Sequence, residues 1–297
     1  MEICVAICTY KRLSIKATLE SIAKQRLPNN LTIKVLVADN DETNKAEGFI
    51  RDCAEEFRLK LEYVHAPSNN ISIARNVCLD NAQADWMACI DDDEIASIDW
   101  IANLYESAIQ ENAAVVFGPV KAIYPKSTPE WMESCDFHSF TPTAVKGIYK
   151  TGASGNAFVN LNHHACKGIR FDLALGKSGG EDSNFFSNVF SNGGYFVFAP
   201  NALVTEDVAL HRASLSWLLK RKFRFGQTCG ALLLDNGQSM MSKINNILKA
   251  LCKFLYCYLM CLFCLLNTNK KYRWLLRGTL HLGVFAKLLG KKEIKQY

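Results

Sequence analysis

Short apolar runs alternate with amphipathic stretches along the first hundred residues. The strand-length apolar runs are Ile3–Ile7, Ile33–Ala38, Leu59–His65 and Trp86–Ile90. Apolar residues recur at helical spacing in Ser14–Lys24, Asn44–Phe57 and Ile73–Ala82. Strands that alternate with helices in this way predict an α/β fold, in which a Rossmann-like, mostly parallel sheet is covered by helices on both faces.

Polar clusters follow three of these strands where each strand ends. The clusters are Thr9–Arg12, Asp39–Asp41 and Asp91–Glu94. Because open parallel sheets bind ligands at the carboxyl ends of their strands, we expect the three clusters to line one crevice.

The pattern is less regular after residue 110. Further strands are predicted at Val115–Tyr124, Ala157–Leu161, Tyr195–Ala199 and Leu203–Thr205. Helices are predicted from Glu181 to Phe190 and from Leu215 to Leu234, whereas Trp131–Ile148 has no regular period.

Two apolar segments close the sequence. Ile247–Leu266 has two charged residues, Lys249 and Lys253, and Trp274–Gly290 follows it. The uncharged part, Phe254–Leu266, is short for a hydrocarbon core that needs about twenty residues. An amphipathic hairpin in the membrane plane is therefore favoured, while a true span and a buried soluble helix stay open. The predicted organisation is a catalytic domain over residues 1–240 and a membrane-associating helical region over 241–297.

Charge supports a membrane surface as a partner. The chain has a net charge of +5, but from Lys243 onward it has eleven basic residues and one acidic residue, Glu293. The remaining body is therefore acidic, and it has no basic stripe interleaved with aromatics, which argues against nucleic acid. The twelve cysteines, many inside apolar runs, are predicted to be reduced thiols of a cytoplasmic protein.

The acidic cluster Asp91–Glu94 carries the clearest chemical signal. Adjacent carboxylates at the end of a buried strand repel one another, and a bound Mn²⁺ or Mg²⁺ would offset that repulsion. The alternative is a solvated acidic turn that caps the next helix.

Several motifs in register resemble the inverting family 2 glycosyltransferases with the GT-A fold. They are Val5–Arg12, Val37–Asn40, Ala74–Asn76, Ile90–Glu94 and Gly180–Asp182. The resemblance covers roughly Ile3 to Gly226 and is closest to bacterial enzymes that extend exopolysaccharide or lipid-linked oligosaccharide chains.

The resemblance implies roles for individual residues. A nucleotide-sugar donor would be bound by Thr9, Tyr10, Arg12, Asp39, Arg75, Asp91 and Asp92. Asp39 resembles the carboxylate that accepts from a pyrimidine N3–H, which favours a uridine or thymidine nucleotide. Asp93 resembles the metal ligand of the DxD motif, and Asp91 resembles its ribose or sugar contact.

Asp182 matches the catalytic base of the family, and Glu181 is a further candidate beside it. A sugar hydroxyl is a poor nucleophile, so its attack at the anomeric carbon needs a carboxylate that takes the proton. Direct displacement inverts that carbon, while the metal stabilises the departing diphosphate. The alternative for both acids is helix capping in a first turn.

Three downstream residues are weaker candidates. Arg221 and Arg224 lie three apart on a predicted helix and could clamp a diphosphate, or they could face a membrane. His211 lies where some relatives place a metal-contacting histidine, and a surface position is the alternative. The segment departs from the QxxRW motif of processive relatives, which implies transfer of a single sugar.

Together these features predict an inverting hexosyltransferase at the cytoplasmic face of the inner membrane. It would use a nucleotide-diphosphate sugar, with UDP-sugar favoured, and a growing glycan or lipid-linked acceptor. One alternative is an inactive scaffold of a glycan-assembly complex. The other is a metal-dependent nucleotidyltransferase, although Thr9–Arg12 lacks the glycines of a phosphate loop. The oligomeric state is not encoded in any recognisable pattern.

Overall fold

In the computed structural model, which describes residues 1–235 and 239–294, the first strand is buried on both faces. In this strand, β1 (Glu2–Thr9), Ile3, Val5 and Ile7 join one core cluster. Cys4 and Ala6 join a second cluster on the opposite face. Such double burial explains why the sequence pattern is a continuous apolar run rather than an alternation.

Nine further strands follow β1 along the chain. They are β2 (Thr32–Asp39), β3 (Leu61–His65), β4 (Trp86–Ile90), β5 (Glu94–Ala96), β6 (Val115–Phe117), β7 (Val120–Ile123), β8 (Asn156–Asn160), β9 (Phe196–Phe198) and β10 (Val204–Asp207). Seven of the ten strands form the main sheet in the order β3-β2-β1-β4-β8-β6-β9, and the other three form a small sheet in the order β5-β10-β7. The main sheet is parallel except at β8, which runs antiparallel to both β4 and β6.

Nine α-helices are present among the described residues. They are α1 (Ile15–Ala23), α2 (Ala46–Glu56), α3 (Ile71–Asn81), α4 (Trp100–Gln110), α5 (Glu130–Cys135), α6 (Glu181–Ser191), α7 (Leu215–Asp235), α8 (Met240–Phe263) and α9 (Thr268–Leu288). Helices α1, α2 and α4 pack on the Ile3 face of the main sheet. Helices α3 and α6 pack on the other face, where Leu79 of α3 contacts both of the core clusters on that side. The predicted α/β architecture with helices on both faces is confirmed.

The chain divides into two compact units. The first comprises Met1–Ile123, Ser139–Lys177 and Glu181–Asp207, and it contains both sheets. The second comprises Tyr124–His138, Ser178–Gly180 and the described part of Val208–Tyr297. The predicted division near residue 240 stays a prediction, and these units divide the chain at other places.

The second unit is helical. Helix α9 packs along both α7 and α8, and α5 packs against α9. Met132, Leu218 and Leu276, from three different helices, are buried together at its centre. Among the described residues, α8 is the one helix long and apolar enough to cross a membrane, and most of its apolar window is not buried in the protein.

Two stretches differ from the sequence predictions. Residues 131–148 were predicted to be irregular, but α5 occupies the start of this stretch because Met132 and Cys135 are buried one turn apart. Helix α4 was not predicted, although Trp100, Ile101, Leu104 and Ala108 form its buried face. All twelve cysteines are free thiols, as their placement in apolar runs predicts.

Candidate active site

The three polar clusters meet at one edge of the main sheet. Strands β2, β1 and β4 are neighbours, and Thr9 at the end of β1 is in register with Asp39 at the end of β2. Strand β4 ends at Ile90, directly before the acidic cluster. The three clusters predicted to lie together therefore share one edge of the sheet in the first unit.

Asp92 connects the loop after β1 with the loop after β4. Its carboxylate accepts a 2.7 Å hydrogen bond from the Thr9 hydroxyl and a 2.9 Å bond from the Arg12 guanidinium. Arg12 also pairs with Asp93. Burial raises the pKa of Asp92 to about 6, against the opposing effects of Arg12 and Thr9. Asp92 therefore holds the two loops together, and Arg12 offsets part of the charge of the cluster.

Asp91 and Glu94 form a tight acidic turn. The Asp91 backbone N–H donates a 2.8 Å hydrogen bond to the Glu94 carboxylate. Burial raises the pKa of both carboxyl groups, and their mutual repulsion raises the pKa of Glu94 further. A Cβ at Gly155 would lie 2.7 Å from Glu94 Oε1 and 3.2 Å from Asp91 Oδ2, so only glycine fits there without displacing an acid.

Arg75, Glu181 and Asp182 form a second buried charge group beside Asp91. Arg75 of α3 forms an ion pair with Glu181 at the start of α6. Asp182 accepts a 2.7 Å hydrogen bond from the Ser183 N–H. Burial first, and the Glu181 charge second, raise the pKa of Asp182 to about 6, while Arg75 opposes the increase. Arg75 also interacts electrostatically with Asp91, so the predicted base and the acidic cluster share one electrostatic environment.

Asp39 has its carboxylate oxygens bonded within the protein. One accepts a 2.7 Å hydrogen bond from the Tyr63 hydroxyl, and the other accepts from the Asp41 N–H at 3.0 Å. The residue has no exposed surface in this structure. Tyr10 is half-buried at the end of β1, and Lys11 next to it forms a 3.3 Å ion pair with Asp41.

A small cavity lies beside this cluster. Its polar lining is Arg75, Asp91 and Ser154, and its apolar lining includes Cys8, Cys89 and Phe171. The Ser154 hydroxyl is buried and has no hydrogen-bond partner among the residues that the structure describes. Such a hydroxyl needs a water or a ligand group to satisfy it.

The three downstream candidates lie in the second unit. His211 is exposed in a short 3₁₀ turn, and the Arg221 guanidinium lies 5.1 Å above the centre of the Trp217 ring. Arg224 is buried, and its guanidinium donates to the carbonyls of Ser178 and Gly179 and pairs with Glu293. These contacts give Arg221 and Arg224 structural partners, so the helical spacing of the two arginines is not by itself evidence for a diphosphate clamp.

Sequence reasoning did not single out Glu94, Tyr63 or Ser154. Glu94 was visible only as the last member of an acidic run, and its distinct position follows from the turn that folds it back onto Asp91. A serine in a Gly-Ala-Ser-Gly loop and a tyrosine in a strand carry no signal of their own. Their positions beside Asp91 and Asp39 depend on the packing of distant segments.

The described side chains do not form a complete set of metal ligands. Among residues 1–235 and 239–294, no three His, Cys, Asp or Glu side chains are placed to hold a metal ion by themselves. The carboxylates of the acidic cluster suit a cation that takes one or two protein ligands and completes its shell with phosphate oxygens.

A Rossmann-like, mostly parallel sheet with carboxylates at its strand ends is consistent with the GT-A fold. The sequence profile of Glycosyl transferase family 2 matches residues 4–174, which is more than half of the chain. The chain therefore belongs to glycosyl transferase family 2, and the nucleotidyltransferase alternative is wrong. Over 297 residues it is 43% identical to the succinoglycan biosynthesis protein ExoM of Rhizobium meliloti (strain 1021), with 100% of this chain and 96% of that protein covered.

Solved structures agree with this fold. The mannosyltransferase PcManGT from Pyrobaculum calidifontis, in complex with GDP-Man and Mn²⁺, matches with a TM-score of 0.65 at 16% identity, over 98% of this chain and 88% of that chain. S. aureus TarS 1-349 in complex with UDP-GlcNAc matches with a TM-score of 0.56 at 15% identity, over 95% of this chain and 92% of that chain. The chain spans 43% of a longer TarS chain. Because the sequence identities are 15% and 16%, these similarities establish the fold of this chain and nothing further.

Proposed function

We propose that this family 2 glycosyltransferase is a metal-dependent, inverting enzyme that transfers a single hexose from a nucleotide-diphosphate sugar. The acceptor would be a growing cell-surface glycan or a lipid-linked oligosaccharide, at the cytoplasmic face of a membrane. The observation that carries the proposal is the shared electrostatic environment of Asp182, Arg75 and Asp91 at the carboxyl edge of the sheet.

Asp182 is the proposed catalytic base. One of its oxygens accepts from the Ser183 N–H, so the other is available to an acceptor hydroxyl. Its raised pKa makes it a stronger base than an ordinary aspartate, and it is still ionised at neutral pH. Glu181, fixed by Arg75, is a positioning group in this proposal and contributes to that raised pKa.

Asp93 is the proposed metal ligand, with Asp91 beside it at the donor sugar or ribose. The residues fit a hard divalent ion, because several carboxylates crowd together and a single guanidinium, that of Arg12, pairs with Asp92 and Asp93. When bound, Mn²⁺ or Mg²⁺ would stabilise the negative charge of the departing diphosphate. The Mn²⁺ bound in PcManGT supports this choice of ion class.

The nucleotide would lie over the ends of β1 and β2. Thr9, Tyr10 and Arg12 are in the loop after β1, Arg75 is on α3, and Asp39 is at the end of β2. The UDP-GlcNAc of TarS and the GDP-Man of PcManGT support a nucleoside diphosphate sugar as the donor class. The role of ExoM in succinoglycan biosynthesis supports a polysaccharide as the product class.

Calorimetric binding of UDP, dTDP, GDP and CMP tests the donor site. Each nucleotide is titrated with Mn²⁺ and again with EDTA, using wild type, Asp93→Asn and the exposed control Asp52→Asn. We expect UDP or dTDP to bind in Mn²⁺, and we expect EDTA and Asp93→Asn to weaken that binding at least about tenfold. Asp52→Asn should bind as wild type does. Metal-independent binding would overturn the role of Asp93, and no binding of any nucleotide would favour the scaffold alternative.

A further inference from the structure

Helix α8 presents an apolar stripe to the outside of the second unit. Ile244, Leu248, Leu255, Leu259 and Leu262 follow one another at spacings of three, four or seven residues, and each is about half exposed. This spacing places all five on one face of the helix. The buried residues Ala250, Cys257 and Cys261 form a different face, which packs toward the protein.

Helix α9 is held tightly between α7 and α8. A Cβ at Gly283 would clash with the Phe223 carbonyl of α7, and a Cβ at Gly226 would clash with the Leu280 carbonyl of α9. On the opposite side, a Cβ at Gly278 would lie 3.3 Å from the Cβ of Cys257 in α8. The three helices therefore approach one another at backbone distance and form one packed layer.

This packing bears on the two membrane arrangements of α8, the in-plane helix and the span. If α8 crossed a bilayer, α9 alongside it would enter the hydrocarbon at the same depth with Arg273, Arg277 and His281. Helix α7, packed against α9, carries Lys220, Arg221 and Lys222 in addition. Charged groups in the hydrocarbon are costly, whereas an amphipathic helix lying in the interface leaves them in water or among the headgroups.

The charges around the stripe complement an anionic surface. Lys249 and Lys253 are exposed on α8, and Arg273 and Arg277 are exposed on α9. The one acidic residue from Lys243 onward, Glu293, pairs with Arg224 and Lys287. The exposed cations near α8 are thus available to lipid phosphates, and juxtamembrane basic clusters bind anionic leaflets in this way.

We propose that α8 docks in the plane of an anionic phospholipid surface, with its apolar stripe inserted to the boundary between headgroups and acyl chains. The proposal rests on the membrane association included in the proposed function and specifies its partner and geometry. Helix α8 then acts as a monotopic anchor. The exposed lysines of α8 and the exposed arginines of α9 would bind the lipid phosphates.

Vesicle flotation with the full-length protein tests this geometry. The probes are vesicles of phosphatidylglycerol with phosphatidylcholine and vesicles of phosphatidylcholine alone, followed by a wash in alkaline carbonate. The variants are Leu255→Gln/Leu259→Gln on the stripe and Lys249→Gln/Lys253→Gln at the exposed lysines of α8. The matched control is Ile109→Gln, which changes an equally exposed apolar residue of α4 in the first unit.

We expect wild type and Ile109→Gln to float with the anionic vesicles and to be released by carbonate. Both double variants should bind the anionic vesicles at least about tenfold more weakly, with unchanged nucleotide affinity. Resistance to carbonate would overturn the in-plane geometry in favour of a span. If the wild-type protein dimerised through the stripe and did not bind vesicles, the partner of the stripe would be a second copy of the chain and the lipid proposal would be wrong. Wild type that neither dimerises nor floats, but still binds nucleotide, would end the membrane proposal and leave the transferase proposal standing.

Discussion

At the scale of single residues, the site is a set of carboxylates whose ionisation is controlled by burial and by two arginines. Arg12 pairs with Asp92 and Asp93, and Arg75 pairs with Glu181 while it also acts on Asp182 and Asp91. Arg12 lowers the pKa of Asp91 and Asp92, and Arg75 lowers the pKa of Asp91 and Asp182, so both arginines favour the ionised carboxylates against the effect of burial. The arginines are therefore as necessary to the site as the acids.

Replacing the proposed base should separate chemistry from binding. Asp182→Asn removes the proton acceptor with little change in volume, so we expect kcat to fall by about 10² to 10⁴-fold. The Kd of the donor, measured by calorimetry, should stay close to the wild-type value. Asp52→Asn, an exposed change of the same type, should alter neither quantity. Parallel losses of donor binding and turnover would contradict the assignment of Asp182 as the base.

The pH dependence of activity follows from the raised pKa of Asp182. The base must be ionised, so kcat/KM should be constant above a pH of about 6 and fall below it as Asp182 becomes protonated. Glu181→Gln removes the neighbouring negative charge that raises this pKa, so the acid limb should move to lower pH. The exposed control Glu106→Gln should leave the limb in place. If the acid limb of kcat/KM stayed at the same pH in Glu181→Gln, a group other than Asp182 would control the pH dependence.

At the scale of elements, the acidic turn depends on the close approach of the loop before β8. Residues 91–94 fold back so that Glu94 accepts from the Asp91 N–H, and Gly155 passes next to both carboxylates. Asn156, the next residue, accepts from the Trp100 indole of α4 at 2.8 Å and donates to the Ala202 carbonyl at 2.8 Å. These hydrogen bonds hold the first residue of the antiparallel strand β8 in place. They therefore also position Gly155 beside the acidic turn.

A methyl group at Gly155 should therefore disturb the site. In Gly155→Ala the new Cβ would displace Glu94 or Asp91, and such overpacking costs about 1–3 kcal/mol of the free energy of unfolding. We expect metal-dependent UDP binding to weaken along with this loss, as measured by calorimetry and urea unfolding. The control is Gly48→Ala in α2, where an added Cβ would have no neighbouring atom within 4 Å. Because alanine favours a helix over glycine, this change should raise the free energy of unfolding by about 0.5–1 kcal/mol. If Gly155→Ala bound the nucleotide as tightly as wild type does, the acidic turn at residues 91–94 would tolerate the displacement.

Many elements lie close to the bounds that the sequence predicts, among them α6 and α7. Strands β1, β2 and β4 and helices α1 and α3 lie within a few residues of their predicted bounds. Helix α4 was overlooked although its apolar spacing was present, and α5 is too short to give a period. The antiparallel direction of β8 could not be read from its apolar run, because a run buried on both faces is the same in either direction.

At the scale of the whole molecule, the C-terminal helices belong to a packed unit rather than to a detachable tail. Leu276 of α9 shares a cluster with Met132 and Leu218, and Val284 and Leu288 share another with Ala250 of α8. A boundary near residue 240 separates helices that are packed together through α9. Removing the residues after 240 would therefore expose buried apolar surface.

Truncation after residue 238 tests this integration. We expect the shortened chain to lose most of its soluble yield, and any soluble fraction should be cleaved by protease within 208–235 faster than the full chain. The full-length variant Leu255→Gln/Leu259→Gln, which changes only exposed residues, is the control and should resist protease as wild type does. A soluble truncation with unaltered protease resistance would instead support an independent catalytic domain over residues 1–240.

The sequence by itself determined the α/β class, the strand ends that carry polar clusters, the family and the basic character of the last 55 residues. These properties follow from local periodicity and from motifs that keep their order along the chain. Tertiary structure alone decided that Thr9 and Arg12 bind Asp92, that Arg75 pairs with Glu181, and that Gly155 borders the acidic turn. It also decided that α9 packs along both α7 and α8. Each of these contacts joins segments far apart in the chain or depends on backbone direction, and no local pattern specifies which distant side chain will meet a given carboxylate.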